Sequence, residues 1–165
     1  MRQVSFIAGL IVGLLASPIV AAHENPVAAG VRAYANQQYA LASELFEPQA
    51  KLGNMIAETY LGFMYRDGRG VPQNYVEAAR WFQAAANQGE PTAQFFLALL
   101  YDAGLGVNRD FVQAETWLDI AAAHASRRDR DYWAGMRDAV ASKITGDELA
   151  QARARALAFT PHKVP

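Results

Sequence analysis

Few residues of this chain have the types and spacing that chemistry requires. Gly68-Arg69-Gly70 is a glycine pair of the sort that can cradle a phosphate. It follows a helical pattern instead of opening one, and no Lys-Ser or Lys-Thr pair completes a phosphate loop. His23, His124 and His162 are scattered, with no His-x-x-x-His spacing to set two ligands on one helix face. His124 and Ser126 lie two residues apart, which on a helix turns a would-be base and nucleophile away from each other. Asp67 and Asp102 could be imagined as paired carboxylates, yet they stand near helix ends, where capping or solvation suits them. Arg127, Arg128 and Arg130 alternate with Asp129 and Asp131, so that segment nearly neutralises itself and reads as a solvated helix start, with a lesser option of contact to an acidic peptide. No catalytic residue, metal ligand set or cofactor site emerges. An enzyme is not expected.

Bulk properties narrow the field in the same direction. With 165 residues the chain can bury a core without staples, and it has no cysteine for disulfides or thiolate metal sites. A net charge of −1 supplies no field to attract nucleic acid, so partners are selected by shape and local chemistry.

The first 22 residues differ from the rest. Arg2 precedes an uncharged run from Val4 to Leu15, Pro18 breaks it, and Val20 with Ala22 offers a small-residue cleavage point before His23. Residues 1–22 are therefore expected to be a secretory signal peptide. The alternative of an uncleaved anchor needs about 20 apolar residues, a length that Pro18 interrupts. A periplasmic or secreted chain from His23, with no stable membrane insertion after cleavage, is the expectation.

The elements that hold these residues repeat. Tyr65, Gly68, Gly70, Val71, Ala78 and Trp81 recur at the same spacing as Tyr101, Gly104, Gly106, Val107, Ala114 and Trp117. Run backwards, the offset pairs Tyr39 with Tyr75, Ala42 with Ala78, Phe46 with Phe82, Ala50 with Ala86 and Gly53 with Gly89, which marks a degenerate earlier unit. Ala57, Leu61, Met64 and Tyr65 follow i, i+4, i+7, i+8, as do Ala93, Leu97, Leu100 and Tyr101; each set lays one apolar stripe along a helix. Gly62 beside the first stripe implies close helix contact, since a mid-helix glycine costs about 1 kcal/mol relative to alanine. The segments Gly68 to Pro72 and Gly104 to Val107 end these helices, with Val71 and Val107 tucked back into the core. Asn74 and Asp110 cap the second helices, whose inward faces are Ala78, Trp81, Phe82 and Ala85, then Ala114, Trp117, Leu118 and Ala121. A two-helix unit of this length buries its apolar face only by stacking on copies of itself. The fold expected is an all-α solenoid of antiparallel helix pairs. Its single domain would hold a degenerate unit over about 27–53, repeats over about 54–89 and 90–125, and capping helices over about 128–159. Thr145 and Glu148 form a capping box for a last helix running to about Phe159, with Thr160 to Pro165 as a loose tail.

The pattern Ala57, Leu61-Gly62, Tyr65, Gly68-x-Gly70-Val71, Ala78, Trp81, Ala85-Ala86, Gly89 resembles the Sel-one-like repeat family, relatives of the tetratricopeptide repeat. That resemblance implies a right-handed superhelix used as an adaptor or binding surface, often in exported bacterial proteins. The chain departs from one exported branch in lacking the cysteines that staple its helix pairs, which weakens transfer of that branch's penicillin-binding or hydrolytic activities.

With the repeated residues assigned to the core, function falls where the copies differ or point outward. Thr59 and Phe63 stand roughly opposite the Leu61 stripe, as do Phe95 and Leu99, while Tyr60 and Phe96 flank it. One reading has neighbouring repeats cover this second face. The other makes Tyr60, Phe63, Phe95, Phe96 and Leu99 a concave surface for a protein or peptide partner. A non-enzymatic binding module is the expectation, most simply a monomer. The alternatives are an enzyme or accessory factor acting on cell-wall material, suggested by the family alone, and a structural adaptor that assembles with its own copies.

Overall fold

Each turn that the sequence marks with paired glycines ends a helix in the same way. The Gly68 and Gly104 N–H groups donate to the Met64 and Leu100 carbonyls, at φ 69° in both cases, a conformation that only glycine adopts without strain. One residue later, Arg69 N–H donates to the Met64 carbonyl and Leu105 N–H to the Leu100 carbonyl, closing the last turn twice over. Asn74 and Asp110 then cap the next helices through their side chains, which accept from the backbone N–H groups of Val76 and Glu77 and of Gln113.

The computed structural model describes residues 25–162. The expected signal peptide at residues 1–22 lies outside them. Among the described residues the elements are α1 (Pro26–Ala35), α2 (Tyr39–Lys51), α3 (Met55–Asp67), α4 (Tyr75–Asn87), α5 (Pro91–Ala103), α6 (Phe111–Ala123), α7 (Arg130–Ala141) and α8 (Gly146–Ala158), with no strand. None of these helices is long and apolar enough to cross a membrane. Consecutive helices pack in antiparallel pairs from α1 to α6, with α1 also touching α3 and α3 touching α5. That is a solenoid, as the periodicity requires.

The repeated stripes are the core. Ala57, Leu61, Met64, Ala78, Ala93, Leu97 and Ala114 are fully buried, Trp81 and Trp117 nearly so, and Tyr65, Val71, Tyr101 and Val107 pack against them from half-buried positions. A Cβ on Gly62 would lie 2.5 Å from the Phe82 ring. The close contact expected there is therefore made by an aromatic side chain of α4. Gly70 and Gly106 carry a second constraint, because a Cβ on either would strike the backbone of Tyr39 or Tyr75, the first residues of α2 and α4. Each glycine turn thus sits on the start of the preceding unit's second helix, which sets the stacking from unit to unit.

The two ends differ from the middle. The α1–α2 connection lacks the glycine turn, and its tight bend places Gln37 at φ 60°. At the other end both α7 and α8 pack on α6. The Thr145 and Glu148 capping box forms, and helix α8 stops at Ala158. The residues from Phe159 to His162 are held in place, contrary to the loose tail expected. Phe159 meets Trp117 edge-on at 5.5 Å, Pro161 lies against Gly89, and His162 N–H donates to the Asn87 carbonyl at 2.8 Å. The tail returns because Gly89, at φ 93°, has no side chain to keep Pro161 away.

Candidate functional site

The residues assigned to a concave surface divide into three groups. Tyr60 and Phe63 are half-buried within a ladder of aromatic rings that crosses the solenoid. Tyr34 meets Tyr60 edge-on, Tyr60 stacks on Phe46 at 4.9 Å, and Phe63 stands edge-on to Tyr60, Phe82 and Phe96. Edge-to-face and offset contacts of this kind add about 0.5–1.5 kcal/mol each beyond area burial. Sequence reasoning had Phe46 and Phe82 as core pairs but no signal for Tyr34 as a rung, since α1 falls outside the regular spacing.

Phe95 does not belong to an open face. It is 2% exposed and stacks at 4.9 Å and 10° on Trp133 of α7. The expectation that it receives a partner is overturned because α7 takes the place of a further repeat and covers it. Trp133, 6% exposed, is thereby a core residue of the terminal unit.

Phe96 and Leu99 remain. They line a depression of about 450 Å³ between α3 and α5, with Leu100, Ala103 and Leu105 on one wall and the Arg66–Asp67 pair with Gln73 and Tyr75 on the other. Arg66 is held from several sides. Its guanidinium lies 4.5 Å over the Phe96 ring and 5.1 Å from Phe63, its Nε donates to Asp67 at 2.6 Å, and Gln73 Nε2 donates to its carbonyl. A cation stacked on rings and clamped by a carboxylate gives a fixed rim. Leu105 on the opposite wall is 39% exposed. Several of these positions differ between the copies: Arg66 and Asp67 on one wall correspond to Asp102 and Ala103, and Leu105 on the other stands where the preceding copy has Arg69. The depression can accept an apolar side chain against a charged edge. Its one carboxylate, Asp67, is committed to Arg66, and its one hydroxyl, on Tyr75, accepts from Gln73 Nε2.

The other residues that chemistry might use are turned to structural tasks. His124 Nδ1 donates to the Ile120 carbonyl, while Ser126 Oγ bonds to Asp129, so the two do not pair. Asp67 answers Arg66, and Asp102 accepts from Lys143. Gly68-Arg69-Gly70 is a helix stop, Arg127 and Arg128 lie in the turn before α7, and Arg130 is its first residue, all away from the depression. His23 lies outside the described residues. Among the described residues no group of three or more His, Cys, Asp or Glu side chains is placed to hold a metal ion.

A second concentration of charge was not legible beforehand. Glu115 of α6 is fully buried, and neither of its carboxylate oxygens has a hydrogen-bond partner. Its pKa is pushed up to about 7, first by loss of water and then by Asp119 one turn away, against the pull of Arg137 from α7 and Arg153 from α8. Asp119 is itself raised by burial. The only sequence signal was a glutamate at the position where the preceding copy has Ala79, which is buried. Glu58, buried in α3, is likewise raised to about 6 by desolvation, moderated by the 2.7 Å bond it accepts from Gln88.

Comparison with known proteins gives this arrangement its relatives. The family model described as the Sel1 repeat matches residues 56–90 and 91–126. A solved structure of c5321, a protective antigen present in uropathogenic Escherichia coli strains and displaying an SLR fold, superposes with a TM-score of 0.73 at 30% identity. That match covers 81% of this chain and 29% of the antigen. A Sel1 repeat protein from Oxalobacter formigenes matches with a TM-score of 0.65 at 24% identity, over 84% of this chain and 55% of that one. This chain therefore spans roughly a third to a half of their lengths. No curated protein matches it.

Proposed function

We infer, from the two Sel1 repeats that this chain carries and the SLR fold it adopts, that it is a protein-interaction module whose docking site is the depression between α3 and α5. Sel1-repeat folds are in general interaction scaffolds and not typically enzymes. The finer reading is that the occupant is a peptide segment of a protein partner, anchored by one aliphatic or aromatic side chain against Phe96 and Leu99 and edged by Arg66 and Asp67. One observation carries it. The rings beneath Arg66 are already packed against one another, so the rim is rigid before anything binds, and a preformed apolar site costs a ligand less ordering. Leu99 and Leu105 are the accessible apolar side chains, while Phe63 and Tyr60 act beneath them as the support. The uncharged run in residues 4–15 and the break at Pro18 support export to the periplasm or beyond.

A random peptide library panned against the chain tests the site. Selected peptides should share an apolar anchor, shift the amide signals of Leu99, Ala103 and Leu105, and lose affinity at least tenfold on Leu99→Ser with little change in thermal unfolding. Peptides that bind equally to the Leu99→Ser chain, or that shift signals elsewhere, rule the depression out.

A further inference from the structure

The C-terminal pair does not close on α6 as a further repeat does. Helices α7 and α8 each pack on α6, and a cavity of about 530 Å³ remains, walled by α6, by Arg137 of α7, by α8 and by the returning tail. Its apolar wall is Ile120, Ala156, Leu157, Phe159 and Pro161. Leu157 at the mouth is 90% exposed, so nothing in the fold covers it. The polar wall is Asp119, His124, Arg137 and Arg153.

The charges here are specific to this copy. Glu115, Asp119 and His124 occupy positions that are Ala79, Gln83 and Gln88 in the preceding repeat, so stacking as such does not demand them. Arg137 is shared between Asp138 at 2.9 Å and Asp119 at 3.9 Å. Arg153 has no hydrogen bond and no ion pair within 4 Å among the described residues, although it faces Glu115 and Asp119 across the cluster. His124 commits Nδ1–H to the Ile120 carbonyl, which leaves Nε2 as its second polar atom.

We propose that this cavity is a second binding site, for a small monocarboxylate with an apolar body, its head held by Arg153 with Arg137 and its body laid on Ile120, Phe159 and Leu157. The cavity wall itself carries two guanidinium groups against one carboxylate, Asp119, because Glu115 lies behind it and Asp138, which also meets Arg137, is 70% exposed and screened by water. The wall accepts one further negative charge most readily when Glu115 is neutral. Burial with Asp119 nearby favours that neutral form up to about pH 7. A dianion such as a phosphate monoester meets Asp119 with one charge too many. A cavity of this size holds a medium-chain acyl group, and its walls share no residue with the depression that Leu99 lines.

The test titrates the chain with octanoate, octylammonium, octyl phosphate and octanol while amide signals are followed. Octanoate should bind at least tenfold more tightly than the other three, with shifts confined to α6, α8, the turn of α7 around Arg137 and residues 159–162. Arg153 is exposed, so Arg153→Ala should leave the unfolding midpoint in place and weaken octanoate at least tenfold, while Arg153→Lys retains most of the affinity. Octanoate should also bind several-fold more tightly at pH 6 than at pH 8, and Glu115→Gln should reduce that difference. Equal binding of octanol and octanoate, absence of saturable octanoate binding, or unchanged affinity in Arg153→Ala overturns the proposal. Leu99→Ser leaves octanoate binding intact, which separates this outcome from that of the peptide site.

Discussion

Replacing Glu115 by Gln should stabilise the protein at pH 8 and do little at pH 5. The carboxyl titrates at about 7 in the fold against an ordinary 4.5, because burial disfavours its charged form and Asp119 repels it. Between those two values the folded chain keeps a proton that the unfolded chain has released, so stability is complete below about pH 4.5, declines as pH rises, and levels off above about 7. At about 1.4 kcal/mol per decade, that decline amounts to at most about 3 kcal/mol. Glu58, Glu90 and Asp119 are raised as well and tilt the whole curve the same way. The readout is therefore the difference between wild type and Glu115→Gln in urea unfolding at fixed ionic strength from pH 5 to 8. Gln keeps the shape and removes the titration, so the variant should gain up to about 3 kcal/mol relative to wild type as pH rises. A variant less stable than wild type at pH 8 would mean that Arg137 and Arg153 repay the desolvation of the carboxylate, and a difference that is flat with pH would falsify the titration argument altogether.

Other perturbations test the packing. Gly106→Ala should lower stability by at least about 2 kcal/mol in chemical denaturation, since φ is 70° there and the new Cβ strikes the Tyr75 backbone. Trp117→Ala should cost about 3–5 kcal/mol, because the ring is 8% exposed in the core and also anchors Phe159. Phe95→Ala should cost about 3 kcal/mol and loosen α7, seen as faster amide exchange around Trp133, whereas Leu99→Ser should cost markedly less because its side chain is half-exposed. If Phe95→Ala leaves stability unchanged, the stacking of α7 on α5 is refuted.

Much of this architecture is written locally. The stripes through Leu61 and Leu97, the left-handed stops at Gly68 and Gly104, the caps at Asn74, Asp110 and Thr145, and the stacking need of a two-helix unit all depend on neighbours within a turn or two. For that reason the sequence alone determined an all-helical repeat fold and its core. Which outward residues stay open is set by chain that arrives from far away. Phe95 and Leu99 have the same helical credentials, yet Trp133 covers the first while the second stays half-exposed in the depression. Gly70 and Gly106 read as turn residues, and only stacking shows that they also make room for the preceding unit's backbone. The charged cluster is the extreme case. Glu115, Arg137 and Arg153 sit on three different helices, so neither their convergence nor the buried carboxylate it creates could be foreseen from spacing, because electrostatic environment is a property of the assembled surfaces and not of any one of them.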